Sequence, residues 1–294
     1  MGAPAAARAL PILGETRAVL AHSTAATAEP MGFFTDTTVC IGCKACEVAC
    51  KEWNQLPARG DGGAHLQMSG LSYDNTLRLD GTTWRHVKFI EQFPEPYNGR
   101  WLMMSDVCKH CVQAPCLEVC PTGAIIRTEF DTVVIQSDTC NGCRDCIAAC
   151  PFGVIDINHV SGTAQKCTLC YDRTSVGLEP ACSKACPTDS IQFGPIAELQ
   201  QRAQRRVDQL QAQGESKAQL YGADRNGPLG GLNAFFLLVD EPEAYGLPRE
   251  PKMPTRNLAP SSMLSALGAV VMTVIGALTL RARRLVAVAK EKAQ

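Results

Sequence analysis

The feature that most constrains the fold of this chain is one dense run of cysteines. Cys140, Cys143, Cys146 and Cys150 follow each other with the spacing C-x2-C-x2-C-x3-C, and Pro151 comes next. This spacing is typical of [4Fe–4S] ligation, in which three thiolates of the run hold one cluster and the fourth reaches a second cluster. Pro151 lacks a backbone N–H and turns the chain away after the fourth cysteine. The run therefore predicts that the chain folds around two clusters here.

Composition favours metal ligation over the other uses of cysteine. The 294 residues include 16 cysteines, which fall into four sets of four. A disulfide framework is typical of short secreted chains, and a zinc ribbon uses two separated C-x2-C pairs. The grouping thus favours iron–sulfur clusters, with a zinc- or disulfide-stabilised scaffold as the alternative from a different class. A net charge of −1 gives no basic excess, so no nucleic acid partner is expected.

Three further cysteine groups repeat the run with variations. The first has the same spacing, but Lys51 replaces the proline, so a short helix is expected to continue towards Pro57. The second has two extra residues before its third cysteine, and the fourth is split by a long loop; both end in C-x3-C-P. In chain order these groups are Cys40, Cys43, Cys46 and Cys50; Cys108, Cys111, Cys116 and Cys120; and Cys167, Cys170, Cys182 and Cys186.

The order of the groups predicts an α+β fold with two ferredoxin-like modules, one nested inside the other. Groups two and three flank a predicted β-hairpin at 124–136 and form an inner module, 106–159. Groups one and four flank this unit in sequence and are expected to pair in space. They form an outer module from 31–105 and 160–195, with a second predicted hairpin at 84–104.

Within each module, the last cysteine of one group is expected to bind the cluster of the other group. We call this the crossing of the fourth cysteine, and it assigns the sixteen thiolates to four [4Fe–4S] clusters. The expected ligands are Cys40, Cys43, Cys46 and Cys186 for cluster 1; Cys50, Cys167, Cys170 and Cys182 for cluster 2; Cys108, Cys111, Cys116 and Cys150 for cluster 3; and Cys120, Cys140, Cys143 and Cys146 for cluster 4. Clusters held by four thiolates have no open position for a substrate. Because the chain also lacks a catalytic motif, it is expected to transfer electrons and to have no active site of its own.

Several polar side chains lie close to the ligands in the sequence. Four cations could each raise the reduction potential of a cluster or be a solvated loop residue: Lys44, Lys109, Arg144 and Lys184. His110, between two ligands, is interpreted as a solvent-facing loop residue. His65 and His86 lie in the segment between groups one and two and are interpreted as surface or packing residues.

The segments outside the two cysteine modules and the apolar stretch give predictions of local structure only. Residues 1–30 are rich in alanine and are expected to be an arm, either extended over a partner or disordered. Residues 196–260 contain a predicted helix, a strand at 233–240 and a proline-rich connector. The helix should run to Gln213 with one apolar face, made of Ile196, Leu199, Ala203, Val207 and Leu210.

An uncharged stretch predicts a single transmembrane helix at 261–280. Twenty helical residues span about 30 Å, the thickness of the bilayer core. The basic tail, 281–294, predicts a cytoplasmic C-terminus with the cluster domain on the periplasmic or outer face, although cations before the helix weaken this bias. The helix lacks histidine, so a membrane haem would belong to a partner. A face of small residues indicates a membrane helix as neighbour, and consists of Ser265, Ala269, Thr273 and Ala277.

Three stretches carry a resemblance to a known family. They are 38–54 (TVCIGCKACEVACKEWN), 166–182 (KCTLCYDRTSVGLEPAC) and 245–252 (YGLPREPK). Together with the four cysteine groups and the apolar helix, they resemble the iron–sulfur β subunit of membrane-bound formate dehydrogenase. The resemblance implies a catalytic α subunit that oxidises formate at a molybdenum or tungsten bis-pterin cofactor. It also implies that electrons pass through this chain to a cytochrome b subunit, which reduces quinone.

One alternative of the same class stays open. The chain could be the equivalent β subunit of a membrane [NiFe] hydrogenase or of a sulfur or sulfoxide reductase complex. It would then carry electrons through the same clusters to or from a different catalytic partner.

Overall fold

The computed structural model describes residues 29–58, 73–95 apart from 75 and 77, and 98–292. Its first part contains β1 (Met31–Asp36), α1 (Ala45–Trp53), β2 (Arg85–Glu95), β3 (Asn98–Val107), α2 (Pro115–Glu118), β4 (Ile125–Arg127), β5 (Val133–Ile135) and α3 (Asp145–Ala149). The second part contains β6 (Asp156–Asn158), β7 (Thr163–Gln165), α4 (Tyr171–Thr174), α5 (Ala181–Lys184), β8 (Ile191–Pro195), α6 (Ile196–Ala212), β9 (Gln219–Tyr221), β10 (Ala234–Leu238) and α7 (Leu258–Lys292). The predicted α+β class is confirmed.

A four-stranded sheet with the order β8-β1-β10-β9 supports the cysteine loops. Strand β1 runs parallel to β10 and antiparallel to β8. Both central strands are rich in phenylalanine and almost completely buried, as expected for strands covered on both faces. The rings of Phe34 and Phe235 stack across this pair with centroids 5.4 Å apart. The sheet therefore forms the rigid base on which the loops of the metal centres are built.

Helix α6 covers one face of the sheet, as its apolar periodicity predicts. All five residues of the predicted apolar face are buried. The helix ends close to the predicted Gln213, and Gly214 follows with φ +100°, a conformation that glycine adopts without strain. Helix α6 also contacts β1, β8 and β9, so it fixes the sheet against the end of the outer cysteine loops.

The cysteine groups contact each other in the pairs that nesting requires. Helix α1, from the first group, packs against α5, from the fourth group. Helix α2, from the second group, packs against α3, from the third group. Hairpins β4–β5 and β6–β7 follow the second and third groups, and the first of them confirms the hairpin expected at 124–136. The exact limits of the two modules stay a prediction.

Strands β2 and β3 form the second expected hairpin, with longer strands than the sequence indicated. The strands pack beside α1 and the turn that precedes the first group. The glycine-rich loop at 60–63 and His65, which belong to the same insertion, lie outside the described residues. Almost all of the predicted arm, 1–30, also lies outside them.

Helix α7 is longer than the predicted transmembrane segment. Its apolar part, Ser261–Val286, is long and apolar enough to cross a membrane, and the chain itself buries none of it. The helix continues through the basic residues after Leu280, because arginine, leucine and alanine all favour helix. The hydroxyls of Ser265 and Thr273 donate to backbone oxygens one turn earlier, at 2.9 and 2.8 Å. These small side chains therefore need no polar partner in a bilayer.

Candidate metal centres

The two tightest cysteine loops share one backbone conformation. Gly42 and Gly142 have φ of +67° and +71°, and Lys44 and Arg144, two residues later, are also left-handed. In each loop the left-handed cation occupies the position immediately before a short helix. Glycine adopts positive φ without strain, and such a turn points successive backbone N–H groups towards one centre. The sequence repeat of groups one and three is therefore a structural repeat.

The structure brings the thiols expected for cluster 1 together. Cys40, Cys43, Cys46 and Cys186 line one small cavity, although the last comes from the far end of the cysteine-rich segment. Burial raises the pKa of the Cys40 thiol, and nearby Cys186 adds to the rise.

The thiols expected for cluster 2 are all buried. Burial, then the proximity of Cys167 and Cys182, raises the pKa of Cys50 well above its usual value, and Cys170 contributes less. Three of these residues come from the fourth group and one from the first. The crossing of the fourth cysteine is therefore present in the spatial arrangement of the thiols.

The inner thiols show the same crossing. Burial and the neighbouring thiols of Cys108, Cys150 and Cys116 raise the pKa of Cys111. Burial and a different set of neighbours raise the pKa of Cys146 to about 11; these neighbours are Cys140, Cys143 and Cys120. The structure thus brings the thiols of each expected set near one another, and their assignment to four clusters stays a prediction.

Clusters, single metal ions and disulfides place different demands on the distances between thiols. All sixteen cysteines are free thiols. Among the described residues, no three histidine, cysteine or acidic side chains are close enough to hold one metal ion. A [4Fe–4S] cluster takes each thiolate on a different iron atom and so holds its sulfurs farther apart than one zinc ion does. The metal content of the purified chain distinguishes the two kinds of site.

Hydrogen-bond donors point at several of these sulfurs, as iron–sulfur sites require. The backbone N–H of Ala164 lies 3.4 Å from Cys140 Sγ, and that of Leu169 lies 3.3 Å from Cys167 Sγ. Two threonines, each directly after a C-P pair, place their hydroxyls beside sulfur, at 3.7 Å for Cys120 and 3.8 Å for Cys186. Such donors stabilise negative charge on sulfur.

The four cations beside the ligands differ in how far they are buried. Arg144 is exposed, and Lys184 is largely exposed beside Glu179, so both are loop residues in solvent. Lys44 is within 3.8 Å of carboxylates. Lys109, in contrast, is completely buried and donates to Asp106 and to the Val107 carbonyl.

Asp106 balances the charge of Lys109. Burial alone would raise the pKa of the Asp106 carboxyl, but Lys109 and Lys88 outweigh it and lower that pKa to about 2. Asp106 is therefore ionised, and Lys109 has a local counter-ion. The solvated interpretation of Lys109 is wrong, because the lysine packs between Phe152 and Phe236.

The solvent-facing interpretation of His110 is also wrong. The side chain is 1% exposed, because a positive φ of 43° turns it beneath the hairpin of the inner module. Its Nδ1 accepts a hydrogen bond from the Val133 N–H at 3.2 Å. Burial, with the charges of Lys166, Arg127 and Arg85, lowers the His110 pKa well below its usual value, so the ring is neutral. His86 is likewise buried, which agrees with a packing residue.

Two buried cations were not singled out from the sequence. Lys166 precedes Cys167 and donates to the carbonyls of Val133 and Cys167. Arg85 lies at the start of β2, near the thiols of the outer groups. The signals available were the position of Lys166 next to a ligand and the alternation that places Arg85 on the same side of β2 as buried Val87.

This arrangement of thiols and donors defines an iron–sulfur protein of the ferredoxin-like class. Two family models, both described as a 4Fe-4S dicluster domain, match residues 39–124 and 99–196. The chain therefore binds [4Fe–4S] clusters. Both matches are continuous segments, so they cross the nested boundaries expected from the sequence and do not decide them.

Known relatives then specify the family. The formate dehydrogenase iron-sulfur subunit of Haemophilus influenzae is 42% identical over 241 residues, which cover 81% of this chain and 74% of the relative. The iron-sulfur subunit of the nitrate-inducible formate dehydrogenase of Escherichia coli is also 42% identical, over 75% of this chain and 73% of the relative. A subunit of the anaerobic dimethyl sulfoxide reductase of Escherichia coli is 35% identical over 58% of this chain and 76% of that protein. The chain belongs to the family of formate dehydrogenase iron–sulfur subunits.

Proposed function

We propose that the chain holds four [4Fe–4S] clusters in its four thiol sets and carries electrons from a formate-oxidising catalytic subunit to the membrane. Two dicluster matches support the number of four. When bound, the clusters accept and release single electrons. The chain contributes the thiolates, the hydrogen bonds to sulfur and the exclusion of water, and it has no substrate site of its own.

The observation that carries this proposal is the linear order of the thiol sets. Cys46 and Cys50, of the first and second sets, lie one turn apart on α1. Cys167, of the second set, lies close to Cys108, of the third set. The fourth and third sets are adjacent at α3, which carries Cys146 of the fourth set and ends directly before Cys150 of the third set. Each set therefore neighbours the next, so electrons can cross the chain in short steps.

The partners at the two ends follow from the family. A catalytic subunit with a molybdenum or tungsten bis-pterin cofactor would exchange electrons with one end of the row. A membrane cytochrome b subunit would receive them at the other end and reduce quinone. Helix α7 would contact both lipid and that subunit, since its small-residue face is exposed.

Purification from detergent-solubilised membranes tests this function. We expect the tagged chain to copurify with a large molybdenum or tungsten subunit and a cytochrome b, to reduce a dye only with formate, and to contain about 16 iron atoms. Stoichiometric zinc with little iron would instead establish the scaffold alternative. A hydrogenase or sulfoxide reductase as the copurified partner would keep the electron-transfer role and reject formate as the electron source.

The orientation in the membrane is a separate proposal. Arg281, Arg283 and Arg284 follow the apolar stretch and favour a cytoplasmic C-terminus, which places the cluster domain on the periplasmic face of the cell membrane. Reporters fused after Gln294 should be active only if they function in the cytoplasm. Activity of a periplasm-only reporter at this position would reverse the topology.

A further inference from the structure

Arg85 is a buried cation without a carboxylate partner. Its side chain is 2% exposed, and among the described residues no acidic group forms an ion pair with it. The Nη1 group donates to Ser105 Oγ at 2.9 Å, and the guanidinium lies over the ring of Phe33, 4.8 Å from its centroid. The Nε and Nη2 groups have no hydrogen-bond partner. An isolated charge and two unmet donors in a protein interior are strongly unfavourable, so the site calls for an anionic partner.

The surroundings of Arg85 identify that partner. The acidic groups that act most strongly on Arg85 are thiols, in order of effect those of Cys182, Cys46, Cys167 and Cys50, and Cys50 lines the same cavity as Arg85. Cys46 belongs to the set of cluster 1, and the other three belong to the set of cluster 2. Ser105 also connects Arg85 to the first set, because its Oγ lies 3.3 Å from Cys46 Sγ. Arg85 therefore stands between the two outer sets and reaches both.

We propose that Arg85 is the shared counter-charge of clusters 1 and 2 and raises the reduction potentials of both. One N–H acts on cluster 1 through Ser105, and the remaining N–H groups serve the sulfurs of cluster 2. This inference rests on the ligand sets of the proposed function. Reduction adds one electron to a cluster that is already surrounded by thiolates, and a fixed nearby cation stabilises the added negative charge. Arg85 stays protonated throughout, so no proton moves with the electron.

The charge required at this position could come from arginine or lysine, but the packing and the hydrogen-bond geometry favour arginine. The charge alone acts on the reduction potential, and lysine supplies the same charge. The flat guanidinium, however, lies over the ring of Phe33 and offers five N–H donors in a rigid fork, whereas the ammonium group of lysine offers three from one atom. Arg85→Lys should therefore keep most of the potential, whereas Arg85→Gln, which is similar in size and polarity, should lose it.

A redox titration of the intact complex, followed by EPR, tests the proposal. In Arg85→Gln, we expect two of the four reduction equilibrium constants to fall about tenfold, which is about 59 mV for one electron. The other two potentials, those of clusters 3 and 4, serve as controls in the same sample and should stay unchanged. Arg85→Lys should stay close to the wild-type values, and Ser105→Ala should lower only one potential.

The possible results distinguish a failure of the role of Arg85 from a failure of the proposed electron-transfer function. Four bound clusters with four unchanged potentials in Arg85→Gln would overturn the role of Arg85 alone, and so would an equal shift of all four. A wild-type chain without iron would overturn the proposed function as well. If Arg85→Gln fails to fold, Arg85→Met, which also removes the charge, takes its place: two lowered potentials support the proposal, and four unchanged potentials contradict it.

Discussion

Replacing Cys150 with alanine is expected to remove one whole cluster, and it should not be the cluster of the motif to which Cys150 belongs. Cys150 lies with Cys108, Cys111 and Cys116 in the structure, although it directly follows the helix that carries Cys146. A [4Fe–4S] cluster of this kind is held by four thiolates, and Cys150→Ala removes one of them. The iron content of the chain should therefore fall from about 16 to about 12 atoms, while Cys140, Cys143 and Cys146 keep their cluster.

Double variants show which cluster is lost. Cys150→Ala combined with Cys108→Ala should lose no more iron than either single variant, because both residues serve one cluster. Cys150→Ala combined with Cys140→Ala should lose twice as much, about eight atoms. Cys120 is the last cysteine of the second group and is expected to bind the cluster of the third group. Cys120→Ala should therefore behave as Cys140→Ala does. The reverse pattern, in which Cys150 and Cys140 prove non-additive, would contradict the crossed assignment.

Ending the chain after Asn257 is expected to release it from the membrane when it is expressed without partner subunits. The apolar part of α7 makes no buried contact with the rest of the chain, so its removal leaves the cluster domain intact. Eight Leu, Ile and Val residues at 261–280 favour insertion by about 2–5 kcal/mol in total, which is a factor of at least tenfold in partitioning. Fractionation followed by an alkaline membrane wash measures the effect.

A shorter truncation is the control for this experiment. A chain that ends after Arg284 keeps the whole uncharged segment and the first three arginines, and it should remain in the washed membrane. Retention of both truncated chains would show that another surface binds the membrane. Release of both would show that the last residues of α7 are necessary for insertion.

Local sequence patterns predicted the parts of the structure that local interactions determine. The C-x2-C spacings predicted the loops, the apolar face of 196–212 predicted α6, and the β-rich runs beside turn residues predicted the hairpins β2–β3 and β4–β5. The sequence patterns do not predict strands β1, β6, β7, β8 and β9. Each is short, and β1 finds its parallel partner β10 far along the chain; Thr37 Oγ1 beside β1 donates to Leu237 O across a separation of 200 residues. A pairing over that distance leaves no local signal.

The electrostatics of the site were less accessible to sequence reasoning than the ligands. The spacing of the cysteines in the sequence indicates that they are ligands. The effect of a cation, in contrast, depends on its burial and on the groups that surround it in the folded chain. Lys184 and Lys109 both neighbour a ligand in sequence, yet one is solvated and the other is enclosed with Asp106. Arg85 is far from any cysteine in the sequence and still reaches two thiol sets, because β2 packs beside α1, which in turn packs against α5 of the fourth group.

The central claim is that electrons from formate pass through the clusters of this chain, and rapid-freeze EPR of the intact complex tests it most directly. After mixing with formate, the signals of the reduced clusters should appear at least as fast as quinone is reduced. In Cys150→Ala, quinone reduction should be lost while formate still reduces an artificial dye at the catalytic subunit. Clusters that stay oxidised while formate reduces quinone at the full rate would contradict the account.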